Sequence, residues 1–177
     1  PYDKITSAMA AVYAEASPYN LVRVIKNDDH ADAAGHLERW LRDGVLRQDP
    51  RPALYPYDVE YELDGRRLVR EGMVAAVRLE ELGKGSIIPH EHTFAHVRKE
   101  RMGLLAATRM HFGQIFLVYD ADPPFPDGAW ESLRRSKPVA EARMLPEAGI
   151  PGGITHRLWR VDDPAAVQRA AAALRAV

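Results

Sequence analysis

The stretch ALYPYDVEYELDGRRLVREGMVAAVRLEEL, residues 53–82, decides how this chain folds. Two strand-like runs, ALYPYDVEYEL and RLVREGMVAAVRLEEL, flank the pair Asp64-Gly65. A two-residue hairpin turn needs positive φ at its central positions, and Asp-Gly supplies that at low steric cost. The middle of the chain is therefore expected to form an antiparallel hairpin.

On the N-terminal side, Thr6 or Ser7 is placed to cap a helix running through about Glu15, with Met9, Val12 and Tyr13 on one face. YNLVRVIK (19–26) alternates apolar and basic residues and reads as a strand. ADAAGHLERWLRDGVL (31–46) sets Ala33, Leu37, Trp40 and Leu41 on one helical stripe, and Gly44 is a C-terminal stop. On the C-terminal side, 97–110 has helical composition, with Leu104 and Leu105 apolar. QIFLVYD (114–120) reads as a buried strand, and DADPPFPDG (120–128) as a loop with a helix start at Asp127. PVAEARML (138–145) and THRLWRVD (155–162) read as a further antiparallel pair, and Asp162-Asp163-Pro164 opens a last, alanine-rich helix. Trp40, Trp159 and Phe112 are expected in the core. Helices and hairpins mix without regular β-α-β alternation, so the expected class is α+β with a mixed, largely antiparallel sheet, in one domain over 1–177.

Composition narrows the function. The 177 residues carry 24 basic and 25 acidic side chains, which leaves no global basic field for nucleic acid or an anionic membrane surface. With no cysteine, disulfides, thiolate nucleophiles and Cys-ligated zinc are all excluded. No apolar run approaches the roughly 18–20 residues of a membrane span, so a cytoplasmic location is the expectation. The chain begins at Pro1 rather than Met, as a processed chain or a piece of a longer one would. Homo-oligomerisation stays open.

The chemistry-bearing segment is IPHEHTFAHVRKER, 88–101, where three of the seven histidines fall within seven positions. If residues 89–93 are extended, His90 and His92 share a face and Glu91 takes the other. His-x-His with His96 as third ligand is the beginning of a metal site, although no His-Glu-x-x-His spacing occurs. Alternatively, Glu91 is a general base beside Arg98, Lys99 and Arg101, whose charge would keep it ionised. Or the imidazoles merely hydrogen-bond a turn into a helix. GKGS (83–86) resembles a phosphate-cradling nest without the full Gly-x-x-x-x-Gly-Lys-Ser frame, and a plain loop is the competing reading. PGGITHR (151–157) reads as a turn leading into a strand. Asp3 and Asn20 sit beside proline and aromatic residues, where turn chemistry accounts for them. Arg109, after an apolar helix face, suits either an anion clamp or a salt bridge.

The motifs PYDKI, PYNLVRVI, WLRDGVLRQDPRPALYPY, GMVAAVRLEEL, IIPHEHT, Glu100-Arg101, LLAATRMHFGQIFLVY and HRLWRVDDPAAV together resemble the N-terminal part of the domain of unknown function 1015 family. That family usually carries Lys-Pro-Lys where this chain has Ala95-His96-Val97, so a three-histidine metal site is not implied by the resemblance. It also usually has Asp-Arg at Glu100-Arg101, and continues into a second half with an Asp-Gly-His-His-Arg signature, beyond Val177. More remotely, Pro89-His90-Glu91 with Arg101 downstream is similar to ParB/sulfiredoxin-like free-serine kinases. That resemblance implies a phosphotransferase using ATP or ADP with magnesium on a small hydroxyl substrate. Glu91 would be the base, with His90 and His92 shaping the pocket. Asp3, Thr93, Arg101 and Arg109 would contact substrate or phosphate, with Asp3 a candidate magnesium ligand. The alternatives are a metal-dependent hydrolase on His90, His92 and His96, and a non-enzymatic scaffold or regulatory module.

Overall fold

The computed structural model describes residues 4–81, 83–89, 94–118, 135–144 and 152–175. It is an α+β fold. Among the described residues there are five helices and a four-stranded antiparallel sheet. The helices are α1 (Ser7–Ala16), α2 (Val22–Ile25), α3 (His30–Arg42), α4 (Ala95–Thr108) and α5 (Pro164–Arg175). The strands are β1 (Tyr55–Leu63), β2 (Arg66–Val74), β3 (Ala140–Met144) and β4 (Ile154–Leu158), in the order β2-β1-β4-β3. The chain divides into two compact units, one of Pro1–Asp49 with Leu79–Ile115 and one of Pro50–Arg78 with Phe116–Val177.

In the second unit the Asp64-Gly65 hairpin forms as the sequence requires. Both residues are left-handed (φ 52 and 72), the signature of a type I′ turn, and Leu63 pairs with Arg66. The second run leaves the ladder at Val74, earlier than its length of apolar residues suggests. On its other edge β1 pairs with β4, and β4 in turn with β3, confirming the C-terminal hairpin. Side chains alternate between faces along every strand. On one face Tyr57 Oη meets His156 Nδ1 at 2.6 Å, with the two rings stacked. On the other, Asp58 and Trp159 are buried, and the Trp159 indole N–H donates to the Ser136 carbonyl. Beyond the sheet, Asp163 accepts from Ala166 N (2.8 Å), capping α5 as expected.

In the first unit Thr6 caps α1 through Met9 N, but α1 buries no residue, and Val12 is 61% exposed. The expected strand at 19–26 is instead the single turn α2. Asn20 Oδ1 accepts from Val22 N (3.0 Å), closing an Asx turn that starts the helix. A strand would place Val22 and Val24 on one face; the helical turn buries both because it is covered on both sides. Asp29 caps α3 by accepting from the N–H groups of Ala31 and Asp32, Asp32 sits in the first turn, and Arg39 and Arg42 in the last, all in accord with the helix dipole. Ala33, Leu37 and Trp40 join Val24 and Leu104 in the core, with Leu46 and Phe112 against its side. Leu41 is not in it. It lies about 80° round the helix from Ala33, and is half-exposed. Gly44 is left-handed and stops the helix region as expected.

Residues 114–118 of the expected strand QIFLVYD have no strand pairing and are exposed, Ile115 by 78%; Tyr119, Asp120 and the helix start at Asp127 lie outside the described residues. An apolar run of this length specifies burial only when a neighbouring strand offers a ladder; here the nearest described contact is a side-chain one, the Arg70 guanidinium of β2 over the Phe116 ring at 5.4 Å.

Between α3 and α4 the His30 ring lies on Gly103, 2.7 Å from where a Cβ would be. Gly103→Ala is expected to destabilise the protein by about 1–3 kcal/mol through this clash. Urea unfolding of Gly103→Ala, His30→Ala and the double variant checks it: the double variant should lose clearly less than the sum of the two.

Candidate functional site

Of the residues the sequence singles out, Asp3, His90, Glu91, His92 and Thr93 lie outside the described residues. What the structure describes is the element that follows them. Phe94, extended (φ −64, ψ 137) and 73% exposed, precedes α4, and its side chain makes no capping hydrogen bond. No acidic residue occupies the first turn of α4. His96 is exposed and stacks on Phe94, with ring centroids 5.8 Å apart.

Arg101 lies one turn before buried Leu104, on the core-facing stripe of α4, and is half-buried. Its Nη2 reaches Glu100 Oε1 at 3.4 Å. Arg109 ends the helix in the left-handed region (φ 52), its N–H bonded to the Leu105 carbonyl at 2.8 Å. The two arginines are eight positions apart, about 12 Å along the axis. Among the described residues no three His, Asp or Glu side chains are grouped to hold a metal ion, and no helix is long and apolar enough to cross a membrane. A depression beside α1, α2 and α3 is lined by Asp28, Asp29 and Asp32. Two of its carboxylates are already engaged: Asp29 caps α3, and Asp32 accepts from Asn27 and approaches His36.

The second unit holds a charged basin that the sequence reading did not single out. It has a volume of about 280 Å³, and Glu60, Arg67, Arg143, Thr155 and Arg157 line it. The register places all five on one face of the sheet, drawn from all four strands. Glu60 Oε2 accepts from Arg67 Nη2 (2.7 Å) and Arg157 Nη1 (2.9 Å), while Arg157 Nε donates to Glu141 (2.8 Å). Hydrogen bonds from Arg67, then Arg157, hold the Glu60 carboxyl below its usual range, and Glu60 and Glu141 in turn raise Arg157. The signal was available in the alternation of Asp58, Glu60 and Glu62 in β1 against Thr155 and Arg157 in β4. Opposite charges at period two on neighbouring strands announce a paired polar face.

A family model described as "Protein of unknown function (DUF1015)" matches residues 1–177. The chain belongs to the DUF1015 family. Neither a curated protein nor a solved structure matches it. Family membership thus agrees with the end-to-end motif resemblance.

Because the Glu60 carboxyl is depressed in the folded state, its contribution is complete above the unfolded carboxylate range and is lost as pH falls from about 4.3 towards the lower folded value. Glu60→Gln is expected to cost about 1 kcal/mol near neutrality, since the pair is partly solvated. It should also flatten the acid limb of stability. Denaturation curves collected from pH 6 to about 3 check this; equal slopes for both proteins would contradict it.

Proposed function

We propose that this DUF1015 protein is a phosphotransferase acting on a small hydroxyl-bearing substrate such as free serine, with ATP or ADP and magnesium as donor. Glu91 accepts the hydroxyl proton as the substrate oxygen attacks the terminal phosphorus; the bond to the bridging oxygen breaks, and the nucleotide leaves one phosphate shorter. Such chemistry asks the protein mainly for a base and for fixed positive charge near the transferring group.

The observation that carries this reading is the electrostatics of α4, which follows Glu91 in sequence. His96, Arg98, Lys99 and Arg101 fall in its first seven residues, against the single acid Glu100. Arg98, in the first turn, opposes the dipole by about 0.3–1 kcal/mol, and Lys99 and Arg101, a turn further on, by less. An uncapped, cation-rich helix start is unfavourable for the chain alone and favourable beside an anion. The remote resemblance of Pro89-His90-Glu91 and Arg101 to free-serine kinases supports the same assignment. His90 and His92 shape the pocket; Thr93 contacts substrate. Arg101 is the cation nearer Glu91 in sequence and takes the phosphate, leaving Arg109 a more distal contact. Magnesium supplies charge neutralisation at the phosphates and typically takes one or two protein carboxylates, a role that falls to Asp3.

Phosphorus NMR of the protein with serine, magnesium and either ATP or ADP tests the reading. Glu91→Gln should lower transfer about 10²–10⁴-fold while leaving nucleotide-dependent thermal stabilisation intact. That stabilisation reaches about 2.7 kcal/mol at a hundredfold excess over the dissociation constant. A Glu91→Gln protein that transfers at the parental rate would end it.

A further inference from the structure

Residues 83–87, with the sequence GKGSI, form a turn just upstream of the His-Glu-His segment, and an anion already sits in it. The anion is the chain's own Glu80 carboxylate. Its Oε2 accepts from Ser86 N at 2.8 Å, from Ile87 N at 3.4 Å and from Ser86 Oγ at 3.5 Å. Gly83 is left-handed (φ 79), which bends the chain back so that successive N–H groups converge. Gly85 leaves room for the guest: a Cβ built there would collide with Glu80 Oε2. Lys84 stands at the rim, its Nζ 2.8 Å from Glu81, with both side chains mostly solvated.

Two backbone N–H groups and a hydroxyl directed at one oxygen are an oxyanion receptor, and a carboxylate is a poorer guest than a phosphoryl group, which offers three charged acceptor oxygens to the same donors. Glu80, Ser86 and the glycines are exposed, so exchange of one anion for another requires no core rearrangement. We propose that residues 83–87 bind a phosphoryl group, and that Glu80 is an internal stand-in that the ligand displaces. The phosphoryl group belongs either to a nucleotide di- or triphosphate or to free phosphate. In the nucleotide case the inference rests on the phosphotransferase reading above and gives that site its phosphate cradle; the anion seat itself does not depend on transfer.

Deleting any nearby carboxylate favours anions modestly through space, so the seat is identified by shifts at the Ser86 and Ile87 amides and by their loss in Gly85→Ala. Here Glu80→Ala should tighten phosphoryl binding about tenfold, as expected if the seat is open for about a tenth of the time in the parent. Gly85→Ala should abolish binding, because its Cβ fills the seat, while leaving the thermal unfolding temperature unchanged within a few degrees. The measurement is backbone amide NMR of Ser86 and Ile87 during titration with inorganic phosphate, and separately with ADP or ATP plus magnesium, at constant ionic strength. Saturable shifts at those two amides, tighter in Glu80→Ala and absent in Gly85→Ala, support the proposal. Shifts with nucleotide alone assign the phosphoryl group to a nucleotide, and shifts with both show that free phosphate suffices. Binding that survives Gly85→Ala, or is unchanged or weakened in Glu80→Ala, overturns it. Binding with no phosphoryl transfer to serine would retain the cradle and discard the kinase.

Discussion

A turn of two left-handed residues, Asp64 and Gly65, holds the register on which the sheet's chemistry depends. Side chains alternate with period two, so a slip of one residue between β1 and β2 would send Arg67 to the face opposite Glu60. The Glu60 carboxylate would then lose one of the two guanidinium groups that keep it ionised. β1 is hydrogen-bonded on both edges, so the same register also fixes where β4 brings Arg157 and Thr155, and through β4 where β3 brings Glu141 and Arg143. The charged face is thus a property of one turn propagated across four strands.

The first unit is organised differently. Its core is small: Val24, Ala33, Leu37, Trp40 and Leu104. Burying a valine or leucine side chain there contributes about 1.5–3 kcal/mol, and the Ala33 methyl about 0.8. The contact of His30 with Gly103 lets α3 and α4 come closer than two ordinary side chains would allow. That packing secures α4 through its middle turns, while His96, Arg98 and Lys99 nearer its start are exposed. Apolar burial therefore holds the middle of α4 rather than its N-terminal end. The same division holds upstream, where Glu80 closes the 83–87 turn with hydrogen bonds rather than apolar contact.

The sequence was most legible where a local rule acts alone. Asp64-Gly65, the Thr6 and Asp163 caps, Gly44 and the C-terminal hairpin all follow from backbone preference within a few residues. It was least legible where a short apolar run can satisfy more than one geometry. Val22 and Val24 fit a strand by spacing, yet the Asn20 side chain turns them into a helix. Leu41 fits the α3 stripe by count, but four-residue steps carry it to the rim. The histidine cluster drew attention by composition, because unusual residue density is visible in one dimension. The Glu60–Arg157 pair joins residues 97 positions apart and becomes visible only once strands are paired. The GKGS turn lay between these cases: its glycines suggested an anion cradle, whereas the identity of the guest, Glu80, is a matter of three dimensions.

The strand order also has a consequence for biosynthesis. β1 and β2 leave the ribosome together and can close their hairpin at once, but the second edge of β1 waits for β4, about ninety residues later. At about 5–20 residues per second, that edge stays unpaired for roughly 5–18 s. Unpaired edges recruit other strands, and charged side chains along them discourage it. Asp58, Glu60 and Glu62 punctuate β1 at every second position. The carboxylates that later organise the guanidinium groups can first act as guards, keeping a nascent hairpin from pairing with its neighbours on the polysome.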